Sequence, residues 1–256
     1  MGRAKDIIVK VIPAKVANEF VKKHHYSGKV VPNSKLHFGC FLDDKLHGVL
    51  SYGSSLDKSK TIGLVENTNW NDYLELNRMA FDNYLPKYSE SRCIAISIKL
   101  IKKNAPQIKW ILSYSDACDC GDGTIYRASG FNLTLIKENS DLFLLPNGSK
   151  IHSMTIKSSK TIMNKYGSWK KFLDTEHKGW KKIIGFQLRY IYLIDKTCKI
   201  TVPIIPFSKI DEMGSGMYKG KKITLAERHK CDVSRTANAA GSQLAEGGQH
   251  DHIAQI

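Results

Sequence analysis

The sequence predicts an α/β (α+β) protein with a mixed central sheet flanked by helices, a basic C-terminal extension and a disordered tail. Three observations lead there. Over the first 140 residues, period-two and helical apolar patterns follow one another in the order β-α-β-β-β-α-β-α-β. A single stretch, Tyr73 to Phe131, holds two strand signals, two helix starts and most of the convergent polar residues. With 256 residues, 42% hydrophobic and 25% charged, the chain has ordinary globular composition and enough length for one good-sized core plus an extension.

Ile7 to Ile12 is a short β-branched run, and Ala14 to Lys23 sets Val16, Phe20 and Val21 at helical spacing before the polar turn His24-His25-Tyr26-Ser27-Gly28. Leu36 to Phe41 and Leu46 to Tyr52 are strands joined at Asp43-Asp44, and Ser54 to Asp72 is a loop containing Trp70. Tyr73 to Phe81 alternates Leu74, Leu76 and Arg78 against Glu75, Asn77 and Met79, which reads as a strand with those two sets on opposite faces. Ile94, Ile98 and Ile101 follow helical spacing, although Ile94, Ile96, Ile98 and Leu100 also alternate. Ser89 or Ser91 as cap, Lys102-Lys103 at the negative end and the stop Asn104-Ala105-Pro106 favour a helix. A strand at Ile108 to Ser115, a loop at Gly121-Asp122-Gly123, a short helix from Thr124 to Ser129 and a strand from Phe131 to Ile136 complete the domain. Beyond Asn147 come a helix around Ser168 to Thr175, a strand from Ile184 to Ile194 and a proline-rich stretch. From Ala226 the composition predicts disorder. The expected division is a catalytic domain at 1–140, a basic extension at 141–225 and a tail at 226–256.

Lys and Arg outnumber Asp and Glu by 39 to 24, a formal charge of +15, and residues 147–222 hold 16 basic against 5 acidic side chains. Such a surface attracts polyanions, with nucleic acid the leading partner class. Lys170, Lys171, Lys181, Lys182 and Arg189 are the expected backbone contacts, and Trp70 is a stacking candidate. Six cysteines without a dense regular spacing point to a reducing cytoplasm; Met1 to Lys10 is too polar for a signal peptide, and no apolar run reaches membrane-spanning length. Cys118-Asp119-Cys120 lacks the spacing of a zinc motif.

Several residues carry candidate chemistry. The turn before the 89–101 helix, with Ser89, Glu90, Ser91 and Arg92, offers unpaired N–H groups and a helix dipole to an anion such as a pyrophosphate; Arg92 adds a bidentate donor. Glu75, mid-strand, and Asp116, at the end of a strand where ligands gather in open sheets, are the best carboxylates. His25 and Tyr26 follow a helix and supply a base, a metal ligand or a stacking surface, and Tyr126 is a candidate acid. The bland alternatives are solvated or Arg-paired carboxylates, a surface histidine pair and a core tyrosine.

The block ELNRMAF, the turn LPKYSESR and the segment GDGTIYRASGF, in this order of elements, resemble the GNAT acetyltransferase superfamily and, more narrowly, the bacteriophage Mom family of DNA adenine modification proteins. The resemblance covers residues 7 to 140. It implies conversion of adenine N6 to a methylcarbamoyl (acetamido) derivative that protects phage DNA from restriction in the bacterial host. It further implies acetyl-CoA or a related acyl-CoA at the 89–92 turn, and iron, for which His25, Asp116 and Tyr126 are the candidate ligands. The turn departs from the superfamily in lacking its glycines. The rival readings are a GNAT N-acetyltransferase acting on a protein or small amine, and a non-catalytic DNA-binding module.

Overall fold

The computed structural model describes residues 3–118 and 120–227; most of the expected tail, from 228 on, lies outside the described residues. In chain order the elements are β1 (Ile8–Val11), α1 (Ala14–His24), β2 (Ser34–Leu42), β3 (Lys45–Gly53), α2 (Lys58–Thr61), β4 (Tyr73–Phe81), α3 (Ser89–Asn104), β5 (Trp110–Ala117), α4 (Thr124–Ala128) and β6 (Asn132–Glu138). There follow β7 (Leu142–Leu144), β8 (Lys150–His152), α5 (Ser153–Lys157), α6 (Lys160–Tyr166), α7 (Trp169–Glu176), β9 (Lys181–Lys182), β10 (Phe186–Leu193), α8 (Ser208–Glu212), β11 (Met217–Tyr218) and β12 (Lys221–Lys222).

Seven strands form one sheet in the order β1-β2-β3-β4-β5-β10-β6, and only β4 and β5 run parallel. The β2–β3 hairpin turns at Asp43 and Asp44, both left-handed at φ 50° and 58°, a backbone that short polar side chains tolerate and whose twist suits a tight hairpin. The ambiguous 94–101 segment is helical. Ile94, Ile98 and Ile101 of α3 are buried in the main core against Leu50, Tyr52, Ile111 and Leu133, so the helical period wins because it gathers one apolar stripe toward the sheet. Ile94 has no exposed surface, and its replacement by Ala would cost about 2–5 kcal/mol. On the other face α1 covers Val49 and Ala80, and the 64–70 segment covers Tyr73, Trp110, Leu112 and Ile191.

Two features of β4 shape the site. Ser51 pairs with Arg78 while Tyr52 pairs with Leu76, so Asn77 is an extra residue, a bulge in β4. The β4–β5 ladder runs only from Tyr73–Trp110 to Leu76–Ser113. Beyond it β4 stays paired with β3 and β5 with β10, and the two parallel strands part. The bulge corrects the expected alternation: Met79 packs against the core with Leu74 and Leu76, and Arg78 turns to the side of Glu75, its electrostatic neighbour.

The expected boundary at 140/141 does not follow the sheet. β10 pairs antiparallel with both β5 and β6, and it supplies Leu188 and Tyr190 to the main core. What stands apart is the insertion between β6 and β10. There a three-stranded sheet, β8-β7-β9, and α5–α7 enclose a small core of Phe143, Leu145, Ile156 and Leu173. Asn139 closes its neck, its N–H donating to the Gly185 carbonyl and its Nδ2 to that of Ile183, both at 2.8 Å. The chain then returns to the seven-stranded sheet: Ile210 enters the main core, and Met217 N–H donates to Asp122 Oδ2 at 2.9 Å.

Candidate active site at the parting of two strands

Where β4 and β5 separate, side chains from five segments converge. His25 ends α1, and its N–H still donates to the Val21 carbonyl. Its Nδ1 accepts the Ser27 N–H at 3.1 Å and lies 2.8 Å from Ser27 Oγ, which leaves the proton on Nε2. Burial, reinforced by the Arg78 cation, lowers its pKa to about 4, so the ring is neutral at physiological pH. Tyr26 has its ring centroid 4.4 Å from that of His25; the ring flank is open to solvent, while its hydroxyl turns inward and donates to Asp116 Oδ2 at 3.1 Å. Burial and then the Asp116 charge push the Tyr26 pKa well above the ordinary tyrosine value. Asp116 is fixed on its other side by the Cys118 N–H, 2.9 Å from Oδ1.

Glu75 accepts from Ser55 Oγ at 2.6 Å. Burial raises its pKa, opposed by that hydrogen bond and by Arg78. Arg78 donates from Nε to the Lys29 carbonyl at 2.9 Å and from NH1 to the Asn77 carbonyl at 2.8 Å; burial weakens its hold on its proton, and Tyr26, Glu75 and Tyr126 oppose this. Tyr126 is nearly fully buried and approaches from the α3 side, packed on Phe131 and Tyr190 at centroid distances of 5.4 and 5.3 Å. Its pKa is pushed up to about 12, chiefly by burial. Gly123 caps the helix that carries it. There φ is 83°, and a Cβ would stand 2.4 Å from the Tyr190 ring, so only glycine fits. Tyr114, raised to about 12 by burial and then Glu75, borders the cluster.

The structure thus brings together His25, Tyr26, Glu75, Asp116 and Tyr126 and adds Arg78, Ser55 and Tyr114, which sequence reasoning missed. An arginine placed among the apolar residues of an alternating strand was the available signal: a charge on a core face implies a bulge. The arrangement holds a carboxylate that can take a proton, a phenol that can only give one near neutral pH, and a cation between them. These are the components of general acid–base chemistry out of bulk water.

The other expected residues lie elsewhere. Arg92 is exposed at the start of α3, and its guanidinium donates to the Lys5 carbonyl at 3.1 Å. Ser89 and Ser91 turn their hydroxyls onto the Pro86 and Tyr88 carbonyls. The turn achieves its sharp entrance without glycine because Tyr88 itself is left-handed, at φ 67°. Among the described residues the N–H groups of Glu90 and Ser91 have no backbone acceptor, and such groups suit an anion such as a pyrophosphate. Iron fits poorly. Tyr26 holds Asp116, the Ser27 N–H occupies the His25 lone pair, and Tyr126 resists ionisation. Among the described residues no group of three His, Cys, Asp or Glu could hold a metal.

Lys170, Lys171, Lys181 and Lys182 are exposed on the insertion, and Lys170 and Lys182 pair with Asp174 at 2.6 Å and Glu138 at 3.7 Å. Arg189 is half-buried and donates to Thr134 Oγ1 at 3.0 Å, while Trp70 packs edge-on against Tyr73. No helix of the described residues is long and apolar enough to cross a membrane.

Comparison with known proteins adds three findings. Solved structures align with the chain at low similarity. They include a Bacillus subtilis acetyltransferase in complex with CoA (11% identity, 73% of this chain and 98% of that one, TM-score 0.39) and a probable acetyltransferase from Staphylococcus epidermidis (12%, 73% and 98%, 0.41). The methylcarbamoylase mom of Escherichia phage Mu is 34% identical over 158 residues, which are 61% of this chain and 64% of that protein, so the match spans less than two thirds of the relative. The Mom protein family model matches residues 6–209, from the first strand through β10 and into α8, and the chain belongs to the Mom protein family.

Proposed function

We propose that this protein modifies adenine N6 in double-stranded DNA with a methylcarbamoyl group from an acyl-CoA-type donor, within the bacterial host, so that phage DNA escapes restriction. The observation that carries the reading is the convergence of Glu75, Arg78, Asp116, Tyr26 and Tyr126 where β4 and β5 part. Family membership and the name of the phage Mu relative, a methylcarbamoylase, support the group transferred.

The lone pair of adenine N6 is delocalised into the ring, so a base must take the N6 proton as the new bond forms. Glu75 is that base. Burial raises its proton affinity, and Ser55 holds the carboxylate in place. Arg78 stabilises negative charge developing between Glu75 and Tyr126, and Tyr126, protonated at neutral pH, gives a proton to the leaving group. Asp116 and Tyr26 orient each other at the mouth. The Glu90 and Ser91 N–H groups would hold the pyrophosphate of a bound acyl-CoA, which would supply the two-carbon unit; the amide nitrogen would come from an amine co-substrate, and joining the methyl carbon to N6 would take a two-electron oxidant as co-reactant. The target base must leave the stack, and the exposed lysines of the insertion hold the flanking phosphates meanwhile.

The test is to express the protein in cells, isolate plasmid DNA and digest it to nucleosides. Mass spectrometry should find deoxyadenosine carrying the added acetamido mass, and the plasmid should resist nucleases whose sites contain adenine. Unmodified DNA from cells with abundant folded protein would refute the reading.

A further inference from the structure

Beside the acid–base cluster lies a set of polar atoms whose partners are missing. Among the described residues, four buried side-chain atoms make no hydrogen bond: Asn33 Oδ1, His37 Nε2, His47 Nε2 and Asn77 Nδ2. His47 belongs to a separate pair with Asp82. The other three border the cluster. His37 is 4% exposed; it pairs across the sheet with Ser51, and Ser51 pairs with Arg78. Asn77 is the bulge itself, between Leu76 and Arg78. Buried polar groups are normally satisfied, so three orphans on two adjoining strands and the turn before one of them point to a ligand of matching pattern.

The pattern can be read from the bonds these amides do make. Asn33 Nδ2 donates to the Ser54 carbonyl, which can only accept, and this fixes Oδ1 as an unused acceptor. Asn77 Oδ1 accepts from Ser34 Oγ at 2.7 Å, which leaves Nδ2 as an unused donor. Asn33 and Ser34 are consecutive, so acceptor and donor share one patch. Gly53 lets them close on it, since a Cβ there would stand 2.0 Å from the Asn33 carbonyl oxygen. Gly53 also pairs with Glu75, which joins the patch to the base.

We propose that Asn33 and Asn77 read the Watson–Crick edge of the extruded adenine, Asn77 Nδ2 donating to ring N1 and Asn33 Oδ1 accepting from the N6 amine. The proposal rests on the adenine-modifying reading and extends it to base selection. Adenine offers a donor beside an acceptor on that edge. Guanine and thymine offer the reverse, and each would set like groups against both amides. Cytosine shares adenine's order, so the pair separates adenine from guanine and thymine. The segment 25–33 spans the patch, tied down by Tyr26 to Asp116, by Arg78 to the Lys29 carbonyl and by Asn33 to Ser54.

The experiment is nucleoside mass spectrometry of plasmid DNA from cells expressing the full chain or its variants. Asn77→Asp keeps an acceptor for Ser34 and replaces only the donor; the adduct should fall about ten- to a hundredfold, the usual discrimination of a paired base contact. Asn33→Ala should lower it comparably, and both variants should keep wild-type melting temperature and duplex affinity. Wild-type adduct levels in both variants would overturn the proposal and leave the adenine reading standing, whereas absence of adduct in the wild type would overturn the reading itself. Should a variant melt early, the wild type decides. Deoxyadenosine monophosphate should raise its melting temperature and deoxyinosine monophosphate, whose edge is reversed, should not; equal responses, including none, would overturn the proposal.

Discussion

The parting of β4 and β5 and the insertion between β6 and β10 use charge in opposite ways. At the parting, Glu75, Arg78 and Tyr126 are withdrawn from water, and burial is the largest cause of the pKa displacement of each. On the insertion the lysines are solvated and their ion pairs exposed: Lys165 lies 3.5 Å from Glu176, and Lys170 lies 2.6 Å from Asp174 with side chains about half open. Exposed pairs of that kind add little to stability and are screened by salt. Charge out of water alters reactivity, whereas charge in water sets long-range attraction. On the proposed reading the chain divides chemistry from affinity, and the aromatics of the insertion serve its own core: Trp169 stacks on Phe143 at 4.8 Å, and Trp180 Nε1 donates to Asp174 Oδ1 at 2.9 Å.

The sharpest way to break that division is Glu75→Gln, which keeps the size of the side chain and removes the base. Adduct formation should fall by about two to four orders of magnitude, as for loss of a general base, with duplex affinity unchanged. Next is the joint replacement of Lys170, Lys171, Lys181 and Lys182 by Ala. Titration of duplex binding against salt should show the log–log slope reduced by up to about four units, roughly one per lost phosphate contact, while DNA bound at low salt is still modified. Tyr126→Phe removes only a hydroxyl and should slow modification by about a hundredfold at neutral pH, measured in single turnovers.

Two smaller effects follow from protonation. Modification should weaken as pH falls through a Glu75 pKa above the usual 4.5, and Ser55→Ala, by deleting the bond that opposes the rise, should move that acid limb to still higher pH. His25 acts on stability. Its folded pKa of about 4 lies below the ordinary 6.5, so between those values the unfolded chain binds more protons. Stability should be full above about pH 6.5 and decline as pH falls toward 4, and His25→Gln should flatten that part of a melting-temperature profile.

Much of this was legible in the sequence. Strand β4 spans the expected residues, and α3 forms where the apolar period and the stop residues agree, but its N-cap is Tyr88, not the expected Ser89 or Ser91, whose hydroxyls donate to carbonyls instead of accepting from the helix. The site was legible as residue types near strand ends, and five of the six expected catalytic residues do meet. Arg78 was not, because a bulge at Asn77 shifts the pleat by one residue, and nothing in a two-residue period reports an insertion. Nor was the position of β10, since pairing with β5 and β6 depends on contacts more than 45 residues apart in sequence, beyond any local pattern. Arg189 looked like a surface cation for the same reason; the sheet turns it to Thr134.

The central claim, that base chemistry resides where β4 and β5 part and DNA affinity on the insertion, is tested most directly by measuring two quantities on two proteins. Nucleoside mass spectrometry of plasmid DNA and duplex affinity at fixed salt should be determined for Glu75→Gln and for the fourfold lysine variant. The account predicts that the first loses the adduct and keeps wild-type affinity, while the second loses affinity and keeps turnover on bound DNA. A Glu75→Gln protein that still modifies adenine at the wild-type rate would contradict it.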